Sequence, residues 1–208
     1  MKKKLFAAIG MLALFALWTV LVCTVDVQKI GPNDSQVGLA TMNEFLHNLT
    51  GVHMALYHVT DWLSLIPVGF AVGFACTGLI QWFRRKRLYK VDPAILALGG
   101  FYVVVMAVFL LFEHAVVNYR PVLIGGVLEA SYPSSTTLLV LCIMPTTILR
   151  LHKQVKNGLL TAMLIAFTAF MVLGRLISGV HWVSDIVGGC LLSGGLVMAY
   201  ATACDLCE

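Results

Sequence analysis

The chain has 208 residues, of which 60% are hydrophobic and 12% charged, with a mean hydropathy of +0.91. A water-soluble domain carries about twice that share of charge, so the composition excludes one and makes lipid the solvent for most of the chain. The net charge of +4 is a topology signal, and no nucleic-acid partner is expected from it.

A bilayer core needs about 20 apolar residues per helix. Six stretches are candidates, at roughly 5–24, 62–83, 94–112, 134–149, 158–173 and 184–203. The expected fold class is therefore all-α: a polytopic membrane protein of six transmembrane helices with one interfacial amphipathic helix, in a single domain over 1–208. The first stretch follows Lys2, Lys3 and Lys4, as a signal peptide would. It lacks an A-x-A cleavage site, however, and the lipoprotein pattern is weak before Cys23, so it is read as a retained helix.

Lys and Arg flanking spans stay cytoplasmic. With the N-terminus inside, Lys2–Lys4, Arg84–Arg87 and Lys90, and Arg150, Lys153 and Lys156 share one side; Lys29, Arg120 and Arg175 face the other. Both termini are expected in the cytoplasm, in a bacterial-type cell membrane.

Between the first two spans, residues 25–61 begin with turn signals in "VDVQKIGPNDSQVG". Phe45, Leu49, Val52, Leu56 and Val59 then recur at spacings of four and three, which predicts one amphipathic helix lying in the outer interface. His53 and His58 fall on or near it, and a place on the interfacial surface is preferred for both over a chemical role. "NLT" at 48–50 matches a glycosylation sequon, a pattern short enough to arise by chance. Cys23, Cys76, Cys142 and Cys190 lie in or beside spans and suit packing; Cys204 and Cys207 supply only two of the four ligands a structural zinc takes. No metal or other cofactor is expected.

Three segments converge on the outer side: "FEHAVVNYRPVL" after the third span, "SYPSSTT" opening the fourth, and "GRLISGVHWVSD" after the fifth. They bring Arg120, Arg175, His181 and Asp185 to one boundary, where charge is costly unless paired or functional. Pro133 followed by Ser134, Ser135, Thr136 and Thr137 makes a helix start with free N–H groups and hydroxyls, a receptor for anions. Two arginines match phosphate oxygens, so the expected ligand is a phosphate. His181 and Asp185 are four apart; a carboxylate accepting from one imidazole nitrogen leaves the other free and more basic, as a nucleophile needs. Taken alone, the same pair also describes an interfacial histidine satisfied by a carboxylate.

With Arg120-Pro121, Pro133-Ser134, and Arg175 followed after five residues by His181 and after three more by Asp185, the chain resembles the type 2 phosphatidic acid phosphatase superfamily, which shares its site with vanadium haloperoxidases. That family carries K-x6-R-P, P-S-G-H and S-R-x5-H-x3-D in this order; the core motifs span 113–185, and the resemblance covers roughly 60–203. It implies a metal-independent lipid phosphatase in which His181 is the nucleophile, Asp185 orients it, and Arg120, Arg175, Ser134, Ser135 and Thr136 line the phosphate. The chain departs from the pattern at Glu113, in the lysine position, at Ser135 and Thr136, where glycine and the acid histidine stand, and at Gly174, in place of serine.

Threonine cannot protonate a leaving group as histidine does, a contribution of about 10²–10⁴ in rate. The loss matters least when the leaving group is itself a phosphate, so an active enzyme is expected to prefer lipid diphosphates, an isoprenoid carrier diphosphate among them, over phosphatidate-like monoesters. His114 is a candidate substitute acid. Two other classes fit: a protein that binds lipid phosphate without turnover, and, poorly, a transporter, since the spans show neither buried mid-membrane charge nor an inverted repeat.

Overall fold

A computed structural model describes residues 2–155 and 157–207. Among them the regular structure is helical: α1 (Lys2–Thr24), α2 (Ala40–Thr50), α3 (Met54–Leu63), α4 (Leu65–Arg85), α5 (Pro93–His114), α6 (Ser135–Val155), α7 (Gly158–Ile177) and α8 (Val183–Cys207). Lys156 lies outside the described residues, as do the side chains of Lys153 and Cys207.

Five helical stretches are long and apolar enough to cross a bilayer: Lys2–Thr24, Met54–Arg85, Pro93–His114, Gly158–Ile177 and Val183–Asp205. The sixth, Ser135–Leu151, is shorter. It can carry Thr136, Thr137, Thr146 and Thr147 because it is packed by α4, α5, α7 and α8, so protein rather than lipid covers its hydroxyls. Its Leu138 and Cys142 meet Leu98, Phe101 and Val105 of α5 and Leu192 and Tyr200 of α8 in the main apolar cluster.

Helices α1 and α8 lie side by side. Lys4 pairs with Asp205 at 2.8 Å at one end, and Trp18 Nε1 donates to the Ser184 carbonyl at 3.0 Å near the other. Asp92, at the start of α5, pairs with Arg150 of α6 at the end that holds Lys4 and Asp205. These ion pairs, of Lys4 with Asp205 and of Asp92 with Arg150, thus mark one end of the bundle, while Arg120, Arg175, His181 and Asp185 lie at the opposite end.

The stripe from Phe45 to Val59 is not one helix. The chain breaks at Gly51, with φ +69, and Leu56 and Val59 belong to α3, which runs on through Ser64 into α4 as part of the Met54–Arg85 span. The interfacial helix is α2 alone, with Phe45 and Leu49 exposed and Asn43 turned inward. A repeat of fours and threes passes through such a break unchanged, which is why the spacing concealed it. His53 N–H donates to the Ser178 carbonyl at 2.9 Å, pinning the break onto the α7–α8 link.

Candidate active site

The motif residues sit at helix ends or in the connections between helices. Arg120 lies in the α5–α6 connection, Ser134 to Thr136 at the start of α6, Arg175 in the last turn of α7, His181 in the link to α8 and Asp185 in the first turn of α8. Asp185 Oδ2 accepts the Trp182 N–H at 3.0 Å, the reach-back bond of a capping box, at a helix end that favours negative charge. The link can be this short because it presses on the α2–α3 break. At Gly179, with φ +67, a Cβ would lie 2.0 Å from the Gly51 carbonyl oxygen.

The carboxylate of Asp185 is fully buried and held on all sides. Oδ1 accepts from Asn118 Nδ2 at 3.2 Å and from Ser184 Oγ at 3.4 Å, and Oδ2 accepts from Ser131 Oγ at 2.5 Å. Its separation from His181 Nδ1 is 3.8 Å, too long for a hydrogen bond. The expected direct contact is therefore replaced by Ser131, whose Oγ lies 3.0 Å from Nδ1. Asn43 reaches the network from α2, exchanging bonds with Ser184 at 2.9 and 3.1 Å.

His181 is 3% exposed. Burial pushes its imidazole down to about 4; Asp185 opposes the shift, and nearby Arg120 and Arg175 add to it. The sequence led to a more basic nitrogen, but loss of hydration outweighs the carboxylate, and the ring is held neutral. Among the described residues none hydrogen-bonds its Nε2.

Arg175 is 2% exposed. Its Nη2 donates to Thr136 Oγ1 at 2.5 Å and to Asp61 Oδ1 at 3.1 Å, while Nε and Nη1 are buried without a partner among the described residues. Arg120, also buried, forms an ion pair through Nε with Glu129 at 3.1 Å, but neither its Nε nor its Nη1 makes a hydrogen bond among the described residues. Both guanidinium groups lie over the Tyr57 ring, with Cζ at 4.8 Å for Arg175 and 5.9 Å for Arg120. The ring's negative face and two half-exposed carboxylates thus hold together two charges that repel one another.

The remaining expected site residues divide. Thr136 is the anchor of Arg175. Ser134 is fully buried; its N–H bonds the Asp185 carbonyl at 3.1 Å and its hydroxyl accepts from Thr137 at 3.0 Å. Ser135 lines a small crevice with exposed Glu113, and it is Glu129, not Glu113, that pairs with Arg120. His114 is exposed and bonds back to the Leu110 carbonyl of its own helix at 2.8 Å, while His53 and His58 are exposed on the α2–α3 side.

Sequence reasoning missed Tyr57, Asp61, Asn118, Glu129 and Ser131. Tyr57 and Asp61 sit four apart on α3, a signal masked by reading that segment as a surface helix. Gly174 explains how α3 comes so close: a Cβ there would lie 2.7 Å from Thr60 Cγ2.

No family profile matches the chain, and no curated protein matches it in sequence. In three dimensions it is similar to the first transmembrane PAP2 type phosphatidylglycerolphosphate phosphatase from Bacillus subtilis, with a TM-score of 0.69, 14% identity and 98% of each chain covered. The two chains share a fold. At this identity the likeness concerns architecture alone.

Proposed function

We propose that the protein is a membrane lipid phosphatase that cleaves a terminal phosphate through a phosphohistidine on His181. The observation that carries this reading is the meeting of a buried imidazole, its Nε2 without a hydrogen bond among the described residues, with two buried guanidinium groups whose N–H donors are in part unspent among the same residues. Buried donors left without partners are costly, and a phosphate supplies acceptors in the geometry that guanidinium groups match. The substrate is a lipid because the site sits at the ends of spanning helices, where head groups lie. The side is the outer one, with both termini cytoplasmic, because Lys2–Lys4, Arg84–Arg87 and Lys90 gather at the opposite end of the bundle.

In the first step the Nε2 lone pair attacks phosphorus. The N–P bond forms as the bond to the leaving oxygen breaks, and that oxygen keeps the electron pair. Water then attacks the phosphohistidine, the P–N pair returns to the ring, and the proton of water passes to solvent. Thr136 accepts from Arg175, and its hydroxyl is too weak an acid to protonate the leaving group in the first step, so a leaving group stable as an anion is favoured. A lipid diphosphate provides one, a lipid monophosphate, which favours it over phosphatidate. Of the five expected phosphate-binding residues, Arg120 and Arg175 are kept, with Thr136 bonded to Arg175; the Ser134 groups are spent internally, and Ser135 lines the crevice with Glu113.

A second reading has its own support: both arginines carry acidic partners, Asp61 and Glu129, which lower the net attraction for a phosphate and suit binding without turnover. Phosphate release by the purified protein in detergent, from a polyprenyl diphosphate and from phosphatidic acid, separates the two. Release from the diphosphate that is lost in His181→Ala supports the enzyme. Inertness of wild type on both, with activity gained in Thr136→His, supports the binding protein.

A further inference from the structure

We propose that Ser131 is a positioning residue that fixes the tautomer of His181, forming a histidine–serine–aspartate relay. The inference rests on the phosphohistidine reading, because it concerns which ring nitrogen is left to attack.

The reasoning is a count of protons. Asp185 Oδ2 accepts the main-chain N–H of Trp182 at 3.0 Å, and Oδ1 accepts from Asn118 at 3.2 Å. A carboxylate so engaged is an acceptor only, so the contact of 2.5 Å with Ser131 Oγ must carry the serine's proton. A serine has one. Facing His181 Nδ1 at 3.0 Å, the same oxygen can then only accept. Nδ1 must therefore carry the ring proton, and in a neutral imidazole this leaves Nε2 with its lone pair. When Nε2 bonds to phosphorus, the positive charge developing on the ring is met through the Nδ1–H···Oγ–H···Oδ2 chain by Asp185, from 3.8 Å away.

Ser131 is held rigidly enough for this role. Its N–H donates to the Asn118 carbonyl at 2.9 Å, and Tyr132 beside it is buried, bonded to Thr19 at 2.7 Å and stacked on Phe15. Ser134 N–H on the Asp185 carbonyl ties down the far side of the same segment. Asn118 thus holds the carboxylate with its side chain and the serine with its carbonyl, so Asp185 and Ser131 keep their spacing.

Histidine-labelled protein in detergent micelles provides the test, with nitrogen-15 shifts reporting which ring nitrogen is protonated and His181→Asn identifying the signal. Wild type is expected to show a protonated Nδ1 and a bare Nε2. Ser131→Ala is expected to show mixed tautomers, and Ser131→Thr, which keeps the hydroxyl, to restore the single form. Where turnover is measured, Ser131→Ala lowers kcat by roughly 10²–10⁴-fold, the cost of a misplaced proton at a catalytic histidine, with little change in KM. A protonated Nε2 in wild type overturns the relay without any variant, as does a Ser131→Ala spectrum identical to wild type. An inert wild type with the expected tautomer refutes the phosphohistidine reading and leaves the relay standing.

Discussion

Gly174 stands where the resembling motif has serine, and restoring that serine is expected to damage the protein. A Cβ at 174 lies 2.7 Å from Thr60 Cγ2 and 3.7 Å from Leu56 Cδ1, whereas carbon atoms rest at about 3.5–4.0 Å. Relief requires α3 and α7 to part by about 1 Å, and overpacking of this kind costs typically ~1–3 kcal/mol. For a chain of this length that lowers the unfolding midpoint by roughly 2–12 °C. Because Tyr57 and Asp61 ride on α3, the guanidinium pair loses its support as well. Thr60→Ser removes only Cγ2 and keeps the hydroxyl that bonds the Leu56 and Tyr57 carbonyls at 3.0 and 2.9 Å. The double variant Gly174→Ser/Thr60→Ser should therefore regain most of the loss, a coupling of about 1 kcal/mol or more. Thermal unfolding of the four proteins in detergent, followed by circular dichroism, measures it. A Gly174→Ser midpoint equal to wild type, or a loss that Thr60→Ser does not touch, refutes the reasoning.

Tyr57→Leu removes the ring beneath both guanidinium groups, and at about 0.5–2 kcal/mol for each contact, about 1–4 kcal/mol for the two, it should weaken binding of vanadate, a phosphate mimic, by roughly 5-fold to 10³-fold, while Tyr57→Phe changes it little; equal effects of the two would locate the role in the hydroxyl instead. Burial of His181 also makes stability depend on pH. Below pH 6.5 the unfolded chain takes up a proton that the folded chain refuses until about pH 4, so stability falls across that window and is steady above it. The contribution reaches about 3 kcal/mol. Unfolding of wild type and His181→Asn from pH 7 to pH 4 should diverge, with the wild type losing more, and parallel curves would count against a neutral buried imidazole.

The membrane class and the apolar helices were legible because they are local: apolar run length is set by bilayer thickness, and the five-then-three spacing around His181 needs no partner to be seen. The α2–α3 break was not, since a left-handed glycine leaves the apolar spacing intact. Ser131 and Asn118 were silent for a different reason: a serine or asparagine gains meaning only from the buried carboxylate it meets, and Asp185 lies more than fifty residues away. Likewise, charge counting placed two arginines at one boundary, but only packing decided that Asp61 and Glu129 would pair with them and that Tyr57 would lie beneath both. Sequence alone brought Arg120, Arg175, His181 and Asp185 to one end of the bundle. Tertiary structure decided which are buried, and burial, by stripping water from His181 and filling the gap to Asp185 with a hydroxyl, sets the protonation of the ring.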